Sequence, residues 1–198
     1  MLNALYPDIP WDRIRCVGFD LDGTLYDEFD FIRQAYQFIL RNAEGLIENS
    51  DAALNCMLDR WLEKGSSYNK IFCEAFQAFG HNQNQLDFFI TRALEVFRQF
   101  QPELVLSERN RHLLACFNRS FDMFVISDGA PVLQRNKFKT LGLDAFFASN
   151  RIQFTGDSGQ DFYKPNVAAF EKLNLNYTPA EIVYFGDRDI DDVFCRNI

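Results

Sequence analysis

Cys16-Val-Gly-Phe-Asp20-Leu-Asp22-Gly-Thr24-Leu-Tyr-Asp27 is the stretch on which the fold turns. An apolar run of strand type, Val17 to Phe19, stops abruptly at two carboxylates two residues apart, followed by Gly23-Thr24. Side chains alternate along a strand, so Asp20 and Asp22 leave the sheet on one side, and Gly23 is free to take whatever φ the exit turn requires. Two acids delivered to a strand tip suit either a hard cation or a division of labour between nucleophile and acid. In isolation, D-x-D-G is equally a strand closed by an Asp-Gly turn, so the rest of the chain has to decide.

The composition sets limits around this stretch. At 198 residues, 47% hydrophobic and with 22 Phe, the chain has material for one domain of ordinary size, or for a core carrying a small insertion. A net charge of -8 disfavours nucleic-acid backbones and anionic membranes as partners and suits a cation site. The five cysteines (Cys16, Cys56, Cys73, Cys116, Cys195) are scattered and never in C-x-x-C spacing, which indicates neither a disulfide framework nor zinc and fits a reduced cytoplasm. No signal-peptide pattern and no long apolar span is visible, so a soluble protein is expected.

Residues 1–14 read as an irregular lead-in interrupted by Pro7 and Pro10, with Leu5, Tyr6 and Trp11 available to pack on the core. From Asp27 to about Pro102 the pattern turns helical. Phe31, Ala35, Phe38 and Ile39 recur at helical spacing, as do Leu54, Leu58, Trp61 and Leu62, the latter group with Ser50 as the expected N-cap and Gly65 at the end. A third helix carries Phe72, Phe76 and Phe79 up to Gly80, and a fourth runs through Leu86, Ile90, Ala93, Leu94 and Phe97. Four amphipathic helices predict a bundle whose aromatic stripes are core packing.

From Ser107 helix and strand alternate again. A helix through His112, Leu113, Leu114 and Phe117 leads to the apolar run Met123 to Ile126, which ends in Ser127-Asp128-Gly129 just before a helix opening near Pro131. Backbone N–H groups and a hydroxyl at such a place favour a phosphate, although helix capping accounts for the same residues. A helix from Val132 to Leu141, carrying Lys137 and Lys139, precedes a strand at Ile152 to Phe154, which completes a βαβ rhythm. Lys164-Pro165 then stands before a helix through Val167, Phe170 and Leu173. The buried-type strand Ile182 to Phe185 ends in Gly186-Asp187-Arg-Asp-Ile-Asp191-Asp192, so a third strand brings polar chemistry to its tip. Strand tips of a parallel sheet share one edge, where Asp20, Ser127 and Asp187 can converge.

In this order, Asp20-Leu-Asp22-Gly-Thr24, Ser127-Asp128-Gly129, Lys164-Pro165 and Gly186-Asp187 with Asp191 and Asp192 resemble the four motifs of the haloacid dehalogenase-like superfamily, mostly Mg²⁺-dependent phosphotransferases with an aspartate nucleophile. The resemblance implies an α/β, three-layer, doubly wound, mostly parallel sheet (a Rossmann-like core) formed by residues 1–26 and 103–198. Residues 27–102 resemble the inserted all-helical cap in position and helicity only. The resemblance also implies roles. Asp20 would attack phosphorus, Asp22 would act as acid and then base, and Lys164 would offset the charge gathered on Asp20. Ser127 would hydrogen-bond the phosphate, with Thr24, Asp128 and Gly129 completing the substrate-binding group. Mg²⁺ would sit among Asp20, the Asp22 carbonyl, Asp187 and one of the adjacent acids, Asp191 being favoured over Asp192.

The function so implied is hydrolysis of a small phosphorylated metabolite, a sugar phosphate or nucleotide, through an aspartyl-phosphate. Asp22 argues against the dehalogenases, which lack an acid at that position. A phosphonate-cleaving activity would need an amine such as Lys64 or Lys70. A phosphomutase of the same fold shares all four motifs, and a catalytically impaired phosphate-binding or regulatory protein is the reading from another class. Oligomeric state and the exact substrate stay open. Because Ile198 follows the fourth motif closely, the strand Ile182 to Phe185 is expected to form an unsupported sheet edge.

Overall fold

Strand β1, Cys16–Phe19, is buried at every residue because it is an inner strand between two parallel neighbours. The computed structural model describes residues 2–43 and 45–198. In chain order, α1 (Leu2–Leu5) precedes β1, and then come α2 (Glu28–Asn42), α3 (Ser50–Lys64), α4 (Ile71–Phe79), α5 (Leu86–Gln99) and α6 (Glu108–Asn118). Next follow β2 (Asp122–Ser127), α7 (Pro131–Thr140), β3 (Ile152–Phe154), α8 (Ala168–Lys172), β4 (Ile182–Phe185) and α9 (Asp189–Asn197). The chain divides into two compact units, one running up to Glu28 and resuming at Leu104–Ile198, the other Phe29–Glu103.

The first unit is a parallel four-stranded sheet in the order β3-β2-β1-β4 with helices on both faces, the α/β class that the βαβ rhythm predicts. Register puts Gly18 level with Phe124 and Tyr184. A Cβ on Gly18 would lie 2.2 Å from the Phe124 ring and 2.6 Å from that of Tyr184, so aromatic rings from both flanking strands fill the space a side chain would need. On this face Cys16, Phe124 and Ile126 pack with Ala169 of α8, Leu173 just after it and Phe194 of α9. On the other face Phe19 stacks on Phe185 at 5.6 Å and meets Phe117 of α6 and Phe147 edge-on.

The lead-in is less irregular than the sequence suggests. One helical turn, α1, forms ahead of Pro7, where no proline interrupts it. Tyr6 and Trp11 do reach the aromatic face, Tyr6 lying 5.1 Å from Phe185 and Trp11 5.9 Å from Phe117, while Leu5 stays exposed.

The second unit holds α2 to α5. Its core is built from Phe31, Ile32, Ala35, Tyr36 and Ile39 of α2, Ala53 and Met57 of α3, Ile71, Phe72 and Phe76 of α4, and Phe89 and Ala93 of α5. Phe76 stacks on Phe89 with centroids 4.7 Å apart. Two expectations need correcting here. Asn49, not Ser50, caps α3: its extended backbone lets its Oδ1 accept the Ala52 N–H at 3.0 Å, so Ser50 becomes the first helical residue. The buried stripe of α3 centres on the smaller Ala53 and Met57, leaving Leu54, Leu58 and Trp61 at its margins and Leu62 64% exposed; Phe38 of α2 is 42% exposed for the same reason, a stripe centred one residue to the side.

β4 pairs with β1 alone and is only half-buried along its length, as the edge expectation requires. Amides of Val183 to Phe185 are therefore expected to exchange with deuterium faster than those of Val17 to Phe19. Equal protection in native-state hydrogen exchange would show that another element or subunit covers this edge.

Candidate active site

All four strands are parallel, so their carboxyl ends open on the same edge. β1 continues into Asp20, β2 ends at Ser127, and β4 runs into Gly186-Asp187. The Asp20 N–H donates to the Phe185 carbonyl at 2.8 Å, which ties the first and last of these tips together. Two glycines make room for the acids. Gly23 has φ +71°, and a Cβ there would stand 2.0 Å from Asp187 Oδ2; a Cβ on Gly186 would stand 2.5 Å from the side chain of Asp191.

One oxygen each from Asp20, Asp187 and Asp191 lies within 4.8 Å of the others. Asp20 is 1% exposed and Asp191 is likewise buried, whereas Asp187 is open to solvent. Of the two adjacent acids, Asp191 therefore joins the cluster, and Asp192 turns outward to pair with Arg196 at 2.5 Å. Lys164, 3% exposed, places Nζ 3.0 Å from Asp20 Oδ1, 2.5 Å from Asp191 Oδ1 and 3.3 Å from the Tyr184 hydroxyl. Burial nevertheless pushes the Asp20 carboxyl up to about 6 against the pull of Lys164, with Asp191 and Asp22 adding to the rise. Asp187, though its side chain reaches solvent, is raised as well, chiefly by partial desolvation. Asp20 Oδ2 is buried without a hydrogen-bond partner. Hard oxygen donors and crowded negative charge, with Asp187 and Asp191 seated where a Cβ on Gly23 or Gly186 would stand, together fit a small divalent cation of the Mg²⁺ type.

Asp22 occupies a different setting. Its Oδ1 accepts from Lys137 Nζ at 2.7 Å and from the Tyr26 hydroxyl, and its Oδ2 from Gln134 Nε2 at 2.6 Å. Burial opposes charge on Asp22, but Lys137 foremost, then Gln134 and Tyr26, hold its carboxyl below the usual range. Gln134 also reaches Ser127 Oγ and the Asp128 carbonyl, both at 2.7 Å. Asp128 uses Oδ1 to accept from Thr155 Oγ1 at 2.9 Å and from the Lys164 N–H at 3.2 Å, so it ties the loops after β2, β3 and Lys164 to one another. Gly129 takes φ +129° and its carbonyl accepts from the Tyr163 hydroxyl.

Thr24 is placed elsewhere than a phosphate-binding role requires. It lines a cavity of about 90 Å³ with Tyr6, Phe19, Leu25, Phe117 and Phe185, and its buried hydroxyl has no hydrogen-bond partner. Four residues that sequence reasoning left out stand in this edge: Tyr26, Gln134, Lys137 and Arg188. For Gln134 and Lys137 a signal existed. They are three apart on α7, on the side that also carries Leu133 and Phe138, so a polar pair interrupts an apolar face.

A family model described as haloacid dehalogenase-like hydrolase matches residues 14–195. The chain belongs to the haloacid dehalogenase-like hydrolases. Among curated relatives, this hydrolase is similar to a protein named glyceraldehyde 3-phosphate phosphatase from Methanothermobacter thermautotrophicus, 26% identical over 187 residues that cover 91% of this chain and 80% of the relative. Among solved structures, a subfamily IA variant 1 hydrolase of the superfamily from Geobacter sulfurreducens aligns with TM-score 0.69 at 18% identity, covering 93% of this chain and 83% of that one. YfnB from Bacillus subtilis, solved bound to magnesium, aligns with TM-score 0.63 at 18% identity over 90% and 80% of the two chains. No helix among the described residues of the hydrolase is long and apolar enough to cross a membrane.

Removing one partner of a buried ion pair costs far more than removing both. Lys137→Met is accordingly expected to lower the free energy of unfolding by roughly 3 kcal/mol in a denaturant titration, because Asp22 is left charged and under-paired. Asp22→Asn combined with Lys137→Met is expected to recover most of that loss. A double variant no more stable than Lys137→Met would refute the pairing.

Proposed function

We propose that this hydrolase is a Mg²⁺-dependent phosphomonoesterase acting on a small phosphorylated metabolite through an aspartyl-phosphate. The observation that carries the reading is Asp20 itself: a buried carboxylate at the tip of β1, one oxygen on Lys164 and the other without a hydrogen bond. An oxygen so placed is available to a phosphorus atom. The similar proteins named glyceraldehyde 3-phosphate phosphatases support a phosphorylated substrate and put triose and other sugar phosphates first among those to test.

In the first half-reaction an Asp20 oxygen forms a bond to phosphorus while the bond from phosphorus to the leaving oxygen breaks. Asp22, once it has taken up a proton from solvent against the pull of Lys137, Gln134 and Tyr26, gives that proton to the leaving oxygen, so the alcohol departs neutral. The Asp22 carboxylate thus produced is the form that Lys137, Gln134 and Tyr26 hold. In the second half-reaction it takes a proton from water as the water oxygen bonds phosphorus and the bond to Asp20 breaks. Inorganic phosphate leaves, and both aspartates return to their starting state. Lys164 holds Asp20 in position and offsets its charge throughout.

Asp20, Asp187 and Asp191 would hold Mg²⁺, with the main-chain carbonyl of Asp22 as the further oxygen that the family resemblance assigns. When bound, the ion supplies positive charge to the phosphoryl oxygens. Ser127, at the tip of β2, serves as a phosphate hydrogen-bonding group, and the helical unit Phe29–Glu103 as the substrate-selecting cap.

Phosphate release from an aryl phosphate is expected to require Mg²⁺ and to vanish with Asp20→Asn, since an amide is a poor nucleophile. Retained turnover in that variant would remove Asp20 from its role. Asp22→Asn is expected to slow turnover by about 10²-fold or more while keeping Mg²⁺ affinity, because the family resemblance assigns only its main-chain carbonyl to the ion. Calorimetric titration with Mg²⁺ checks this: a loss of affinity equal to that of Asp187→Asn would contradict the division of labour.

A further inference from the structure

Lys164 is the cation that the family resemblance places beside the substrate, yet here its donors are taken. An ammonium has three N–H groups. Lys164 Nζ has three partners within reach, Asp20 Oδ1, Asp191 Oδ1 and the Tyr184 hydroxyl, and the residue is shut off from solvent. An incoming phosphoryl group would have to displace one of them.

Arg188 is in the opposite condition. Its backbone is fixed, the N–H donating to Asp191 Oδ2 at 3.2 Å, and its side chain is 33% exposed. The guanidinium stands 3.8 Å from Asp20 Oδ2, 3.7 Å from Asp128 Oδ2 and 3.9 Å from Asp191 Oδ2. At these separations charge holds it over the site, but no direct hydrogen bond forms with any of the three carboxylates. It also faces the oxygen of Asp20 that has no hydrogen-bond partner, the one opposite Lys164.

We propose that Arg188 is a phosphate-binding residue of this site: its guanidinium takes the oxygens of the phosphoryl group carried to Asp20 Oδ2, supplying the donors that Lys164 lacks. A planar fork of N–H groups matches tetrahedral phosphate in a way that a single ammonium does not. The negative charge of Asp128 and Asp191, 3.7 and 3.9 Å away, keeps the fork at the site. The inference rests on the phosphomonoesterase reading for the identity of the phosphoryl group, but its test does not need turnover.

The experiment is calorimetric titration of the full chain with inorganic phosphate in saturating Mg²⁺, and separately with Mg²⁺ alone, for the wild type, Arg188→Lys and Arg188→Ala. Arg188→Ala is expected to bind phosphate about tenfold more weakly or worse, and Arg188→Lys to fall between it and the wild type. Mg²⁺ affinity of both variants is expected to be at least that of the wild type, since a competing cation has been removed or reduced. Wild-type phosphate affinity in Arg188→Ala overturns the proposal, as does failure of the wild type to bind phosphate. Mg²⁺ affinity falling in parallel with phosphate affinity overturns it too, by showing that Arg188 only supports the acidic loop. A wild type that binds phosphate through Arg188 but hydrolyses no phosphomonoester would sink the catalytic reading and leave Arg188 in place.

Discussion

A buried ammonium between two buried carboxylates is the interaction on which this site depends. Lys164 joins Asp20, at the tip of β1, to Asp191, on the helix after the edge strand, and reaches the Tyr184 hydroxyl, which in turn donates to the Ile126 carbonyl of β2. Burying three charges together is costly unless each is paired, and without the lysine two like charges would be left buried side by side. Tips of three strands and the loop carrying Lys164 are thereby committed to one arrangement. The residual cost is visible in Asp20, which burial pushes upward despite the lysine.

A second ionic node, Asp22 with Lys137, lies beside the first and differs from it in composition. It is closed by hydrogen bonds from Gln134 and Tyr26, so its negative charge is matched within the protein. The first node carries an excess of carboxylates that only a cation from outside or the half-exposed Arg188 can answer. Two aspartates two residues apart thus sit in different electrostatic surroundings: burial raises Asp20, which a bound cation would bring back down, and Lys137 lowers Asp22, which has to take up a proton before it can act as an acid.

Much of this was readable in the sequence for simple reasons. Short apolar runs ending in Asp20, Ser127 and Gly186 could be recognised because a buried parallel strand has few other compositions, and the polar residue after it falls at the sheet edge. Nothing local marks Lys164 as fully buried, since a lysine before a proline is ordinarily solvated; only the order of motifs singled it out. Lys137 and Gln134 escaped because their partner, Asp22, is more than a hundred residues away, although their place on an apolar helix side was a clue. The buried side of α3 was misplaced by one residue because leucines flank the true stripe of Ala53 and Met57, and counting large side chains favours the margins. Thr24 was assigned by motif position alone, and its side chain lines an aromatic cavity.

Gly23 and Gly186 bear on how a cation would be received. The Asp187 carboxylate rests against the Gly23 backbone and Asp191 against that of Gly186, each filling the space where any other residue would carry its Cβ. Such seats leave the two side chains little rotational freedom before anything binds. The conformational entropy of gathering the ligands is therefore surrendered when the chain folds, not when the ion arrives. The affinity of these carboxylates for a cation would then be set chiefly by dehydration of the ion and by charge, and a substitution at either glycine would loosen carboxylates that it never touches chemically.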